Sequence, residues 1–308
     1  MSALRQALQD YVAMRQGLGY KFVNQAYRLA GFVTFMNDRH ATVITTKLAF
    51  EWATQSPGRH ATWAMRISDM RGFARHLHNI EPKNEIPPYG VITYRSRYQP
   101  YIYTETEIQT LLAAALALPP VHGLRRWTYH CLFGLLAATG LRIGEALALK
   151  REDVNLATGL LAIHDTKFGK SRLVPLHPST RDVLLNYAHQ RDAHLKLPLS
   201  PYFLVAERGG RLLPQYVYKV FLRLSREIGL RDKSATKGPR LHVVRHRFAV
   251  ATLLNWYRSG QNVDTLMPVL STYMGHTCIR DTYWYLSACP ELMEHAARRL
   301  EKYQEGSA

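Results

Sequence analysis

Apolar residues recur at three- and four-residue spacing through the first eighty positions, which predicts a small bundle of amphipathic helices. Two helices are expected within the first forty residues. A short third helix is expected over 47–54, with Thr45 or Thr46 as its N-cap, and a longer fourth helix over 60–78. The fourth helix has an apolar face, and its remaining faces are rich in arginine and histidine.

The regular pattern stops in the segment EPKNEIPPYGVITYRSRYQPY, where a Pro-Pro pair and a glycine interrupt regular structure. The chain length of 308 residues suggests about two domains. We therefore predict an N-terminal helical domain over 1–85, a linker over 86–100 and a second domain over 101–308.

The second domain is predicted to be mostly helical with one β-hairpin. Thr104 and Glu107 have capping-box spacing and predict the start of its first helix. Two β-rich runs within 159–176 flank a turn that contains Gly169, a pattern typical of a hairpin. Later helices are expected over about 215–228 and 242–256 and in a C-terminal tail over 290–308. The expected fold class is mainly α with a small antiparallel β-sheet.

The charge balance points to an acidic partner. Forty Lys and Arg residues against 23 Asp and Glu residues give a net charge of +17, spread along a chain that is hydrophobic enough to fold. A nucleic acid bound in an extended groove fits this distribution best. The predicted phosphate contacts are Arg66, Arg71 and Arg75 on the fourth helix, Arg95 and Arg97 in the linker, and Lys170 and Arg172 in the hairpin.

Other composition signals narrow the class of protein. Cys131, Cys278 and Cys289 share no CxxC spacing, so neither a disulfide framework nor a zinc site is indicated. The N-terminus is charged where a signal peptide is apolar, and no apolar run is long enough to span a membrane. We therefore expect a cytoplasmic protein. The sequence also has no P-loop, no HExxH motif and no acidic cluster spaced for magnesium, so we expect no cofactor.

Four separated segments contain side chains that can bind a phosphate. They are AATGLRIGEALALK with Arg142, DTKFGKSR with Lys167, LHVVRHRF with His242 and Arg245, and MGHTCIRDTYWYL with His276 and Tyr285. Each segment alone is a weak signal. Together and in this order, they closely resemble the active-site motifs of the tyrosine recombinase superfamily, which includes the phage integrases.

The resemblance implies a helical core-binding (SAM-like) domain followed by a catalytic domain, and it implies a role for each matching residue. Arg142 and Arg245 correspond to the two arginines that bind the phosphate, and His242 and His276 to its histidine partners. Lys167 corresponds to the hairpin lysine that protonates the leaving 5′ oxygen. Tyr285 corresponds to the nucleophile that forms a 3′-phosphotyrosyl bond, which is rejoined without ATP or metal.

Several alternatives remain open at the level of single residues. Tyr283 offers a second phenol, although the register favours Tyr285. Glu145 is interpreted as a structural residue that orients an arginine or caps its helix, rather than as an acid or base. His164 and His177 are not expected to bind metal, and His246 is expected to be a scaffold residue.

The partner implied by the resemblance is double-stranded DNA with specific recombination sites. The resemblance also implies that the protein binds this DNA as a homotetramer and is a monomer or dimer when free. A partner recombinase or an accessory protein is a further option. A type IB topoisomerase and a catalytically silent DNA-binding protein are the alternatives. Integration, excision and resolution of a mobile element all fit the sequence, and the tail helix is equally compatible with docking on its own protomer or on a neighbour.

Overall fold

The computed structural model describes residues 3–55, 60–92, 101–164, 171–197, 200–287 and 290–305. The chain divides into two compact units, Met1–Tyr98 and Gln99–Ala308. Within the described ranges, no helix is long and apolar enough to cross a membrane. The predicted fold class, mainly helical with a small antiparallel sheet, is confirmed.

The first unit is a helical bundle around an apolar core. Its helices are α1 (Ala3–Gly17), α2 (Val23–Asp38), α3 (Thr46–Thr54) and α4 (His60–Ile80). Residues such as Phe32, Met36 and Phe73 are fully buried between the helices. The N-cap of α3 is Thr45, whose side chain accepts a hydrogen bond from the backbone amide of Leu48.

The segment after α4 packs on this bundle through Arg71. Its Nε and Nη2 donate to the carbonyls of Pro87 and Pro88, both at 2.7 Å, and Ile92 contacts the core. Arg71, only 8% exposed, therefore holds this segment on the bundle. Arg71, predicted from the sequence to contact a DNA phosphate, therefore binds two carbonyls in this structure, and residues 86–92, assigned to the linker from the sequence, fall within the first unit.

The second unit combines a three-stranded sheet with helices. The helices are α5 (Glu105–Leu116), α6 (Arg125–Thr139), α7 (Ile143–Ala148), α8 (Pro178–Leu195), α9 (Pro214–Glu227), α10 (Val243–Arg258), α11 (Val263–Met274), α12 (Arg280–Tyr283) and α13 (Pro290–Glu305), with 3₁₀ turns at Arg151–Asp153 and Trp284–Ser287. The predicted capping box is present, because the Thr104 hydroxyl accepts from the Glu107 amide and the Glu107 carboxylate accepts from the Thr104 amide.

The sheet is antiparallel in the order β1 (Val154–Asn155), β2 (Leu160–Ile163) and β3 (Arg172–Pro175). Strands β2 and β3 pair with Ile163 opposite Arg172. This register fixes the position of Arg172 at the start of β3. The tip of this hairpin, including Lys167 and Lys170, lies outside the described residues, as do Arg95 and Arg97.

Two apolar clusters hold the second unit together. The larger joins α5, α6, α8 and α9 to the sheet, and the smaller joins α10, α11 and the segment around Tyr285. The start of α13 packs on the smaller cluster, where Leu292 is fully buried and the His295 ring stacks on Tyr257 of α10. This first part of the tail helix therefore docks on its own chain.

Candidate active site

The last turn of α11 gathers three arginines around its free carbonyl groups. The final carbonyls of an α-helix have no partner within the helix and lie at the negative end of its dipole, so they attract cationic donors. Three consecutive carbonyls accept here, those of Tyr273, Met274 and Gly275. Their donors, in the same order, are Arg172 (2.7 Å), Arg245 and Arg142 (2.8 Å). We call Arg142, Arg172 and Arg245 the arginine cluster.

Arg142 is the member of the cluster most open to solvent, with 32% of its side chain exposed. It precedes α7, and its backbone amide donates to the Glu145 carboxylate, which caps the helix. The same carboxylate accepts from the Arg142 guanidinium at 2.8 Å. This agrees with the structural interpretation of Glu145, which both caps its helix and orients an arginine.

Arg245 is buried, with 3% exposure, between the ends of two helices. Its guanidinium donates to the carbonyl of Gly140 at 2.6 Å and to that of Met274. Gly140 ends α6 with φ +61°, and an added Cβ would lie 2.5 Å from a ring carbon of Phe248, so only glycine fits. Burial and the nearby Arg142 cation lower the pKa of Arg245 to about 10, so it stays protonated at neutral pH.

Three histidines line the same region and are neutral at pH 7. Burial, followed by the charges of neighbouring groups, lowers the pKa of both His246 and His276 to about 4. The pKa of His242 is lowered by the same causes, namely partial desolvation and the cations Arg245 and Arg142. Nδ1 of His276 lies 2.7 Å from the hydroxyl of the fully buried Thr282, which fixes the orientation of the ring.

Tyr285 reaches this group from the 3₁₀ turn after α12. The side chain is 3% exposed, and its ring lies against His276 and His246, with centroids 6.0 and 5.4 Å apart. Burial raises the pKa of the phenol above its ordinary value, although the Arg245 charge and a hydrogen bond from Arg245 act in the opposite direction. Tyr283 is 42% exposed on α12.

Arg172, predicted from the sequence to contact a DNA phosphate, is paired within the protein in this structure. Only 10% of its side chain is exposed, because its guanidinium binds the Glu145 carboxylate and the Tyr273 carbonyl. Thr282 was not predicted as a site residue, and its signal in the sequence was the six-residue spacing from His276.

The remaining candidates lie away from this cluster or serve local structure. His164 pairs with Asp153 at 3.1 Å, and His177 accepts from the Ser179 amide at the start of α8. No group of three metal-ligating side chains occurs in the part of the chain that the structure describes. In the first unit, the Arg66 guanidinium lies 5.1 Å from the Trp52 ring, and exposed Arg75 donates to the Tyr89 hydroxyl.

This geometry suits a tetrahedral anion. Arg142 and Arg245 are held by main-chain carbonyls at the end of one helix, and a buried phenol lies against Arg245 and two neutral imidazoles. Guanidiniums bind phosphate oxygens through paired donors, and neutral imidazoles can accept a proton. The site is therefore equipped for attack by a phenol oxygen on a phosphodiester.

Comparison with known proteins gives the family. The phage integrase family model matches residues 102–291. The chain is 46% identical over 312 residues to a Sinorhizobium fredii protein named integrase/recombinase y4rB, covering 99% of each, and 31% identical over 239 residues to tyrosine recombinase XerD of Caulobacter vibrioides, covering 76% and 73%. Its fold matches that of the Tn1549 transposon integrase in complex with a circular intermediate DNA, with a TM-score of 0.70 at 15% identity over 96% and 99% of the two chains. As its four motifs predicted, the chain belongs to the phage integrase family, the tyrosine recombinases.

Proposed function

We propose that this protein is a site-specific DNA recombinase that cuts and rejoins strands at the recombination sites of a mobile element, with Tyr285 as its nucleophile. The observation that carries the proposal is the buried Tyr285 phenol, hydrogen-bonded to Arg245 inside the arginine cluster. A phenol that attacks a phosphate must lie beside the cations that bind the phosphate, and Tyr285 lies beside Arg245.

Arg142 and Arg245 have two roles in this reaction. They bind the phosphate, and they stabilise the negative charge that develops during attack. As the Tyr285 oxygen bonds to phosphorus, negative charge grows on the non-bridging oxygens, which Arg142 and Arg245 would hold. The bond from phosphorus to the 5′ oxygen then breaks, leaving a 3′-phosphotyrosyl bond and a 5′ hydroxyl. Lys167 is assigned the transfer of a proton to the 5′ oxygen on the family resemblance.

The Tyr285 proton goes to a neutral imidazole in this proposal. Burial, and after it the cations Arg245 and Arg142, lower the pKa of His242 and of His276 in the free protein. A phosphate bound to Arg142 and Arg245 offsets part of that positive charge and raises the basicity of both rings. The histidines therefore become better proton acceptors when DNA is in place, and the phenol remains protonated until then.

The proposed partner is double-stranded DNA carrying a specific site, and the proposed assembly is a homotetramer on two synapsed duplexes. Lambda integrase, which shares this fold with a TM-score of 0.65 at 17% identity, has been solved as a tetramer bound to a Holliday junction. The relatives compared above are integrases and recombinases, which favours strand exchange over topoisomerase activity. A cytoplasmic location, with access to the chromosome, completes the proposal.

Covalent trapping tests the proposal directly. Wild type, Tyr285→Phe and Tyr283→Phe are each incubated, without metal, with nicked duplexes tiled from the DNA that flanks the gene. We expect a protease-sensitive covalent protein–DNA adduct with wild type and with Tyr283→Phe. We expect Tyr285→Phe to bind the same DNA without forming the adduct. An adduct that persists in Tyr285→Phe refutes the assignment, and site-independent relaxation of plasmids would support a topoisomerase instead.

A further inference from the structure

The Glu145 carboxylate is a buried anion shared by two arginines. One oxygen accepts from Nη1 of Arg142 at 2.8 Å and from Nη1 of Arg172 at 3.2 Å. The other accepts from Nη2 of Arg172 at 2.8 Å and from the Arg142 amide at 3.0 Å. The exposed side-chain fractions are 7% for Glu145, 10% for Arg172 and 32% for Arg142. Of the two arginines, Arg142 is the one that a ligand can reach.

The charges of these three residues sum to one positive charge, and Arg172 determines where that charge resides. Arg172 binds both carboxylate oxygens through a two-donor fork, the strongest form of this contact. With Arg172 present, the Glu145 anion is compensated from its buried side, so Arg142 keeps its charge for a ligand. Without Arg172, the same carboxylate would neutralise Arg142 and compete with the ligand for its donors.

The position of Arg172 is tightly fixed by the main chain. Its Nε donates to the Tyr273 carbonyl at 2.7 Å. A Cβ at Gly275 would lie 2.7 Å from Nη1 of Arg172 and 3.4 Å from Nη1 of Arg142, so the backbone of residue 275 packs directly on both guanidiniums. Arg172 is therefore built into the site and is not a mobile surface cation.

We propose that Arg172 is a positioning residue that neutralises Glu145 and so keeps the positive charge of Arg142 available to the scissile phosphate. This inference rests on the proposed function, because it assigns Arg142 a phosphate to bind. It gives the reaction a third arginine that acts without touching the DNA.

The test compares two versions of the nicked duplex that traps wild type, one with a phosphodiester at the cleaved position and one with an uncharged methylphosphonate. The charge-neutral substrate depends less on Arg142. We expect Arg172→Gln to slow single-turnover cleavage of the phosphodiester by about 100-fold and to slow cleavage of the methylphosphonate by much less. Arg172→Lys, which keeps the charge, should cleave the phosphodiester markedly faster than Arg172→Gln.

A second variant separates charge compensation from loss of structure. Glu145→Gln/Arg172→Gln removes both buried charges, which proteins tolerate better than the loss of one partner. We expect it to cleave the phosphodiester faster than Arg172→Gln, because Arg142 then has no anion to neutralise it. If a thermal melt shows that Arg172→Gln does not fold, the double variant is compared with Arg172→Lys instead. The proposal is then overturned if the double variant cleaves the phosphodiester more than about 100-fold more slowly than Arg172→Lys.

Arg191→Gln is the matched control, since Arg191 is also buried, at 3% exposure, but binds Asp192 and the Phe203 carbonyl. It should affect both substrates equally, if it affects either. Equal losses on the two substrates for Arg172→Gln, with no recovery in the double variant, overturn the role of Arg172. If wild type forms no adduct on any duplex, the proposed function fails instead, so the two failures are distinguishable.

Discussion

Acid is expected to destabilise the second unit through its histidines. The pKa of His246 and of His276 is lowered to about 4 in the folded protein, so between about pH 6.5 and pH 4 the unfolded chain binds more protons at these rings. The stability that the neutral rings contribute is present above pH 6.5 and is lost as the pH falls toward 4. Nδ1 of His246 is buried and has no hydrogen-bond partner among the described residues, so a proton there would be poorly solvated.

The size of the effect follows from the two shifts. Moving from about pH 8 to about pH 5 removes roughly 2 kcal/mol for each fully shifted ring, or roughly 4 kcal/mol for both. Because both rings are partly solvent-exposed, we halve this to about 2 kcal/mol, which corresponds to about 4–8 °C in melting temperature for a unit of this size. His242 shifts in the same direction and adds to the loss.

The assay is urea unfolding of the full chain at both pH values for wild type, His246→Gln and His276→Gln. Each variant removes one titrating ring, so each should lose less stability than wild type between the two pH values. His122→Gln, at an exposed position before α6, is the matched control. The reasoning is refuted if wild type and both variants lose the same free energy of unfolding on acidification.

Three further perturbations test other parts of the structure. Gly140→Ala places a side chain at φ +61° and against Phe248, and should cost about 2 kcal/mol or more; an unchanged melting temperature would contradict the described packing. Glu207→Ala removes the carboxylate that accepts from the Leu124 and Arg125 amides at the start of α6, and should cost about 1 kcal/mol, with Glu207→Gln costing less in the same melts. DNA binding should weaken by about 10³-fold or more between 50 and 200 mM salt if six or more phosphates are contacted, and a flat response would argue against an extended phosphate-binding surface.

Local sequence patterns predicted most of the helices and the hairpin because their determinants are close together in the chain. The Thr104–Glu107 capping box and the Thr45 cap act over three residues, and the structure contains both. The candidate site was also predicted from the sequence, through the resemblance of four motifs, and the roles of its residues stay predictions. Composition and spacing alone gave each of these motifs little weight.

The environments of individual cations could not be predicted, since they depend on contacts between distant positions. Arg172 binds a carbonyl 101 residues away, and Arg71 binds two carbonyls beyond the end of its own helix. From sequence, both were expected to face DNA, as basic residues usually remain solvated. Whether an arginine is solvated or buried depends on which unpaired acceptors the fold brings to it.

The end of α11 holds the arginine cluster through peptide carbonyls, so the bonds do not depend on which side chains occupy residues 273 and 274. Mutation can therefore change Tyr273 or Met274 to suit altered packing without removing an acceptor, provided that the helix keeps its last turn. Gly275 is the exception, with φ +65° and two guanidiniums where a Cβ would lie. The side chains of this helix can therefore change while its backbone and this one glycine keep the arginine cluster in place.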